Sequence, residues 1–158
     1  MHKNLAFLWD MLYEAAAVDA TIRTMRKEDA LKLPGISKYL SGWGREGDFA
    51  LIAYDSITNK AVGALWHRLF SCDTAGYGYV ADDIPELVMG VVPESRGQGI
   101  GSLLLDAIIQ EAKKSGYRAL SLSVDRNNRA KMLYERAGFV DAQVSQPQDT
   151  SVTMQITL

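Results

Sequence analysis

Arg96-Gly97-Gln98-Gly99-Ile100-Gly101 is the stretch on which the fold turns. Before it, Glu86 to Val92 is a β-rich run closed by Pro93. After it, Ser102 to Ser115 repeats apolar residues at helical spacing. Leu104, Leu105, Ile108, Ile109 and Ala112 fall on one side of that helix, and Asp106, Gln110, Lys113 and Lys114 on the other, with Gly116 as the stop. A strand that passes through such a glycine run into a helix lets the backbone approach a ligand closely. The first N–H groups of the helix have no partner within it and point outward beside its positive dipole end, so a pyrophosphate fits. Arg96 adds a charge-assisted contact. The plainer alternative is a tight strand-to-helix turn.

Two well-defined phosphate motifs are excluded by spacing. A Walker loop ends in Gly-Lys-Ser/Thr, which is absent, and a dinucleotide fingerprint reads G-x-G-x-x-G, whereas Gly97, Gly99 and Gly101 read G-x-G-x-G.

Outward from this centre, Leu5 to Ala17 has the spacing of an amphipathic helix (Leu5, Leu8, Trp9, Leu12, Ala16). Thr21 to Gly44 is mixed; Lys27 to Leu33 is read as a short helix ended at Pro34, and Ile36 to Leu40 as a second ended near Gly42. Phe49 to Tyr54 and Ala61 to Phe70 form a predicted antiparallel hairpin around the turn residues Asp55 to Lys60. Ser71 to Asp83 is a predicted loop. Ala119 to Val124 sets Leu120, Leu122 and Val124 against Ala119, Ser121 and Ser123, a strand with two unlike faces. Asn127 or Asn128 caps a further helix ending at Gly138, and Phe139 to Val144 and Ser151 to Leu158 close the chain as paired strands.

With 158 residues, 47% of them hydrophobic, the chain has material for one domain spanning 1–158. Its net charge of -2 includes no like-charged block, so composition suggests neither a nucleic-acid arm nor a membrane face. No apolar run approaches the roughly 18 residues of a membrane span, no basic-then-apolar leader opens the chain, and Cys72 has no partner for an intrachain disulfide, so a cytoplasmic location is expected. The two histidines and one cysteine lack metal-ligand spacing, and no metal is expected. His67, in a β-rich run, is read as a packed strand residue with a satisfied ring.

Arg96 to Gly101 resembles the R/Q-x-x-G-x-G/A signature of the GCN5-related N-acetyltransferase (GNAT) superfamily at each defined position. Val91-Val92-Pro93-Glu94 resembles the end of that family's fourth strand. Asn127-Asn128-Arg129-Ala130-Lys131-Met132-Leu133-Tyr134-Glu135-Arg136-Ala137-Gly138-Phe139 resembles its N-x-x-A-x-x-L-Y-E-x-x-G-F block. Pro85-Glu86-Leu87 and Trp43-Gly44-Arg45 are weaker echoes, and the likeness runs from about Tyr39 to Phe139. It implies an α/β (α+β) fold with a mixed central sheet of about six strands and helices on both faces. The family's usual first strand is missing unless Thr21 to Met25 supplies it.

The resemblance further implies an acetyl-CoA-dependent N-acetyltransferase acting by direct attack of a primary amine in a ternary complex. The alternative is a catalytically silent CoA-binding sensor or regulatory module. The expected partners are acetyl-CoA and an amine acceptor, small molecule or protein, with no nucleic acid and no membrane; a homodimer is kept open. In the family, the pantetheine arm lies in a splay between the fourth and fifth strands. This assigns Met89, Gly90, Val91 and Val92 to the cofactor, with Gly90 suited to a bulge that separates the strands. The loop and helix start, Arg96, Gly97, Gln98, Gly99, Ile100, Gly101 and Ser102, are assigned to the pyrophosphate, and Asn127 or Asn128 to the pantetheine. A backbone N–H near Val91 would polarise the thioester oxygen.

Acyl transfer from a thioester to an amine needs a neutral amine, a polarised carbonyl and a proton for the departing thiolate. An alkylamine with pKa about 10.4 is nearly all protonated at neutral pH, at a cost of roughly 4 to 5 kcal/mol to reach its nucleophilic form. Glu86 stands at the family's base position and Tyr134 at the position of its proposed thiolate acid. The plainer readings are a solvated strand-end carboxylate and a half-buried core tyrosine. Asp82 and Asp83 beside Glu86 are expected to make the acceptor entrance negative, and Tyr39, Trp43, Trp66, Phe70, Tyr77 and Tyr79 to cluster near it.

Overall fold

A computed structural model of the protein describes residues 2–158, with side chains from Asn4 onward. The chain opens with helix α1 (His2–Ala16) and three single-turn helices, α2 (Ala20–Arg23), α3 (Lys27–Ala30) and α4 (Pro34–Ser37). Strands β1 (Phe49–Tyr54), β2 (Ala61–Arg68) and β3 (Glu86–Val91) follow, then a 3-10 turn at Pro93–Ser95 and helix α5 (Ile100–Lys114). Strand β4 (Ala119–Asp125), helix α6 (Ala130–Ala137) and strands β5 (Val140–Asp141) and β6 (Ser151–Thr157) complete it. The six strands form one sheet in the order β1-β2-β3-β4-β6-β5. Every neighbouring pair is antiparallel except β3 and β4, which are parallel across the α5 crossover. Among the described residues, no helix is long and apolar enough to cross a membrane.

Strand alternation divides the core into two layers. On one face, Leu65, Leu87, Leu120, Leu122, Val124, Val152 and Met154 meet Leu104, Leu105, Ile108, Ile109 and Ala112 of α5, together with Tyr134 of α6. On the other, Ala64 and Trp66 of β2 meet Leu8, Met11 and Leu12 of α1 and Ile36, Tyr39 and Leu40 just beyond it. The stripe read from α5's sequence is thus the buried stripe, and helices cover both faces.

Several boundaries differ from the sequence reading. Thr21 to Met25 supplies no first strand: Asp19 Oδ1 accepts the Thr21 and Ile22 N–H groups at 2.8 and 3.4 Å, capping α2 instead. Among the described residues no strand precedes β1, so the family's fourth and fifth strands are β3 and β4 here. Pro34 starts α4 rather than ending a helix, because its fixed φ and missing N–H suit a first helical position. Helix α5 begins at Ile100 rather than Ser102, so Ile100 and Gly101 of the glycine run lie in its first turn. The strand expected over Phe139 to Val144 is only Val140–Asp141; Asp141 Oδ1 accepts the Gln143 N–H at 2.6 Å and Gln143 turns to φ +61°, breaking the pairing.

Candidate active site

Strands β2 and β3 pair without a break from Gly63↔Val91 to Arg68↔Glu86, and β4 and β6 pair along seven residues from Ala119↔Thr157 to Asp125↔Ser151. Between them, β3 and β4 share a single register pair, Glu86↔Ser121, supported by Ser121 N–H to Pro85 O at 3.0 Å. Beyond it the strands part, leaving a wedge whose closed end is Glu86 and whose open end leads to Arg96–Gly101. The wedge forms without a bulge at Gly90, contrary to expectation. What Gly90 provides is room: a Cβ there would sit 2.5 Å from the Met11 carbonyl oxygen of α1.

At the open end, Gly97 and Gly99 adopt φ of +77° and +83°, and a Cβ on either would meet nothing within 4 Å. These glycines are therefore required by backbone conformation, with open space before them. Gly99 precedes α5 directly, and no side chain caps that helix. Gly101 differs: its Cβ would come 2.9 Å from Leu133 Cδ2 and 3.3 Å from Met89 Cε, so it serves the packing of α5 on α6 and β3. Gln98 and Ser102 are exposed beside the loop. Arg96 donates to Val91 O and to Glu14 Oε1, both at 3.0 Å, so in this state its guanidinium faces protein groups. Val92 donates its N–H to Val62 O and its carbonyl accepts from Ser95 N–H, so its backbone is committed within the fold.

The two asparagines also separate. Asn128 Oδ1 accepts the Ala130 N–H at 2.9 Å, an Asx turn opening α6, while Asn127 is exposed and its own N–H is held by Asp125 Oδ1. Tyr134, on α6, is buried in the α5 layer with its ring edge-on to Phe139 at 5.8 Å, and burial raises its phenol pKa.

Glu86 lies on the other face. It is 2% exposed, and burial lifts its carboxyl from 4.5 to about 7 against the lowering effects of its hydrogen bonds and of the Lys38 charge. Its Oε2 accepts from Tyr39 O–H at 2.6 Å and from Gly78 N–H at 3.0 Å. Its Oε1 has no partner, alone among the buried side-chain polar atoms of the described residues. The segment 71–83 covers it, and β4 and β6 turn polar side chains to that segment: Ser121 Oγ donates to Gly78 O at 2.6 Å and Thr153 Oγ1 to Tyr77 O at 3.1 Å. This use explains the serine face of β4. A cleft of about 520 Å³ opens beside it, lined by Gly76, Tyr77, Tyr79, Ser145, Asp149 and Thr153 among others.

The other expectations for the acceptor side fare unevenly. Asp83 is paired bidentately with Arg118 at 2.6 and 2.9 Å, whose hydrogen bond lowers its pKa, and Asp82 accepts from Tyr79 O–H, so neither is a bare negative charge at the entrance. Trp66 is fully buried with its Nε1 on Tyr39 O, and Tyr39 packs edge-on to Phe70; only Tyr77 of that aromatic set is widely exposed. His67 is buried with Nδ1 2.8 Å from Gly47 O, a satisfied packed histidine as read. Gly76 and Gly78 went unassigned in the sequence, and Tyr39, expected near the acceptor, was not read as a partner of Glu86. The alternating serines of β4 were the signal that something polar had to lie on that face.

A wedge between two parallel strands, opening onto a glycine loop at a helix start, defines a GNAT-type fold. The chain aligns over 99% of its length, and 94% of the other, with the PaiA N-acetyltransferase of Thermoplasma acidophilum solved with coenzyme A, at TM-score 0.64 and 19% identity. Residues 46–141 match the acetyltransferase (GNAT) domain, and the chain belongs to that family. Among curated proteins it is similar to the mycothiol acetyltransferase of Propionibacterium freudenreichii subsp. shermanii, 37% identical over 56% of this chain and 27% of that one. It is also similar to the [ribosomal protein bS18]-alanine N-acetyltransferase of Haemophilus influenzae, 34% identical over 41% of this chain and 44% of that one. The chain thus spans less than half the length of these relatives.

Proposed function

We propose that the protein is an acetyl-CoA-dependent N-acetyltransferase that transfers the acetyl group directly to a primary amine. The observation that carries this reading is the wedge between β3 and β4, with a buried carboxylate oxygen lacking any partner at its closed end. The residues present suit acetyl-CoA. The unsatisfied N–H groups at the start of α5, reached through Gly97 and Gly99, would hold its pyrophosphate, and the β4-facing edge of β3 from Met89 to Val91, where Arg96 Nε occupies the Val91 carbonyl, its pantetheine arm. Asn127 is the asparagine left free to reach that arm. When bound, the thioester supplies the activated acetyl carbon.

The chain's own residues then handle protons. Glu86 Oε1 would accept one proton from the ammonium of the acceptor; as the nitrogen bonds to the acetyl carbon and the carbon–sulfur bond breaks, Tyr134 would protonate the leaving sulfur, and the second proton lost by the nitrogen would restore the Tyr134 phenol. Glu86 and Tyr134 belong to opposite core layers, so base and acid approach the wedge from different faces. A base with pKa about 7 is close to a peptide α-amine at about 7.7 to 8.0, a mismatch of roughly 1 kcal/mol, whereas an alkylamine at about 10.4 leaves nearly 5. An α-amino group is the better-matched acceptor, as in the alanine acetylation for which the H. influenzae relative is named.

Thiol release from acetyl-CoA across a panel of α-amines, alkylamines and polyamines tests the activity, and calorimetry with Gly99→Asp tests the cofactor site. The variant is expected to bind acetyl-CoA at least tenfold more weakly. Tight binding with no turnover on any amine would favour the silent sensor instead.

A further inference from the structure

The bare oxygen of Glu86 has a definite orientation, and its cause lies outside the strand that carries it. The two donors on Oε2 come from different segments: the Tyr39 hydroxyl beyond α4, and the Gly78 N–H in segment 71–83. Tyr39 is itself fixed, because its hydroxyl accepts the Tyr77 N–H at 2.8 Å and its carbonyl accepts Trp66 Nε1–H at 3.2 Å. Burial and the neighbouring carboxylate raise the Tyr39 pKa, so its O–H remains a donor throughout the working range. The charged side chain acting on Glu86 is Lys38, whose Nζ is tied to Ala75 O at 2.8 Å in the same segment. With Oε2 saturated, Oε1 is the one atom through which this carboxylate can take a proton.

Oε1 lies against Gly76. A Cβ built there would overlap Oε1 and stand 2.6 Å from the Tyr39 hydroxyl, yet Gly76 has no positive φ that would require glycine for conformation. Its backbone lines the 520 Å³ cleft beside Tyr77, Ser145, Asp149 and Thr153, in which there is no basic side chain. The geometry points to Tyr39 as the positioning residue of Glu86: it holds Oε2 and turns Oε1 to Gly76, whose missing side chain leaves room for that oxygen behind the wall of this cleft, the side from which the acceptor amine comes. Because the cleft mixes polar and apolar surface and carries one carboxylate, Asp149, it fits an uncharged or cationic amine-bearing chain and disfavours an anionic one. This rests on the base role proposed for Glu86.

The Glu86 carboxyl carbon, followed by ¹³C NMR through a pH titration of the cofactor-free protein, reads the clamp without any turnover. Tyr39→Phe removes a hydrogen bond that favours the carboxylate. Both this titration and the acid limb of kcat should therefore move to higher pH, by about one to two pH units, while kcat recovers at alkaline pH. Gly76→Ala should lower kcat/KM for the amine at least tenfold and leave acetyl-CoA affinity unchanged. An unmoved Glu86 titration in Tyr39→Phe would overturn the clamp. Wild-type amine kinetics in Gly76→Ala would overturn the placement of Oε1 against Gly76. A fully active Glu86→Gln variant would instead overturn the base role itself, a failure distinguishable because the titration still reports on Tyr39.

Discussion

The two faces of the sheet are built by different physics. The α5 face is largely dry: leucines, isoleucines and valines from four strands meet one helical stripe, with Tyr134 and, against Phe49 and Tyr117, His67 as buried polar-tipped side chains. The α1 face mixes an apolar patch under α1 with buried charge, namely Glu86 beneath segment 71–83 and the Arg68–Asp48 pair beneath segment 38–48. Non-directional packing suffices on the first face. The second is specified by hydrogen bonds between side chains and distant backbone groups, each costly to leave unmade. Chemistry that needs a perturbed carboxylate belongs on the face where such groups can be buried and held.

That contrast is most sharply tested at Glu86. If the polar face is a working site, Glu86→Gln should lower kcat by about 10² to 10⁴, the range for a lost general base, with acetyl-CoA affinity little changed. Steady-state thiol release under saturating amine checks it. The same group sets a pH dependence of stability. Its folded pKa of about 7 lies above the ordinary 4.5, so the folded state keeps a proton that the unfolded chain gives up. This contribution is complete below pH 4.5 and is lost as pH rises through 7, on the order of 3 kcal/mol in all. Denaturant unfolding across that window should show the decline in wild type and lack it in Glu86→Gln. Equal slopes would mean the carboxyl is effectively solvated.

Next in size is the buried pair. Asp48 accepts from Arg68 Nε and Nη2, both at 2.8 Å, and from the Gly44 and Arg45 N–H groups at 2.9 Å. Burial alone would raise its pKa, but these donors outweigh that and hold it low. Arg68 in turn donates to Lys38 O and Ser41 O, on either side of the Tyr39–Leu40 pair, and lies over the Trp43 ring at 5.5 Å. Removing one partner strands the other, so Asp48→Asn should cost about 3 to 5 kcal/mol. That matches the roughly 2 to 5 kcal/mol expected for Leu105→Ala on the dry face. Unlike Leu105→Ala, Asp48→Asn should also loosen Tyr39 and carry the Glu86 titration with it. Identical Glu86 titrations in the two variants would erase the distinction between the faces.

The same contrast explains what could be read in advance. The α5 stripe, the β1–β2 hairpin and the glycine loop are local patterns, with period 3.6, period 2 and fixed spacing, and they appear where expected. The polar face depends on meetings over long separations: Tyr39 with Glu86 across 47 positions, Thr153 with Tyr77 across 76. No local periodicity records such contacts. The serines of β4 announced a polar covering without naming its donor. Gly76 and Gly78 resembled ordinary loop glycines because the atoms crowding them, Glu86 Oε1 and the Leu122–Ser123 backbone, come from other strands.

One contact joins the dry and polar halves at the open end of the wedge, and it carries the smallest expected effect. Arg96 of the glycine loop donates to Glu14 Oε1 of α1 at 3.0 Å, with the two side chains 52% and 26% exposed. An ion pair this accessible is worth roughly 0.2 to 1 kcal/mol, and added salt weakens it. If Arg96 is to reach a pyrophosphate, it must first leave Glu14, and that energy is subtracted from cofactor affinity. Glu14→Gln should therefore tighten acetyl-CoA binding by a few-fold at most, measurable by calorimetry at low ionic strength and fading as salt is raised. The combination Glu14→Gln with Arg96→Gln should lose the gain. An affinity unchanged by Glu14→Gln at low salt would mean that Arg96 stays on α1 throughout, as a strut between the layers, and that the N–H groups at the start of α5 hold the phosphates without it.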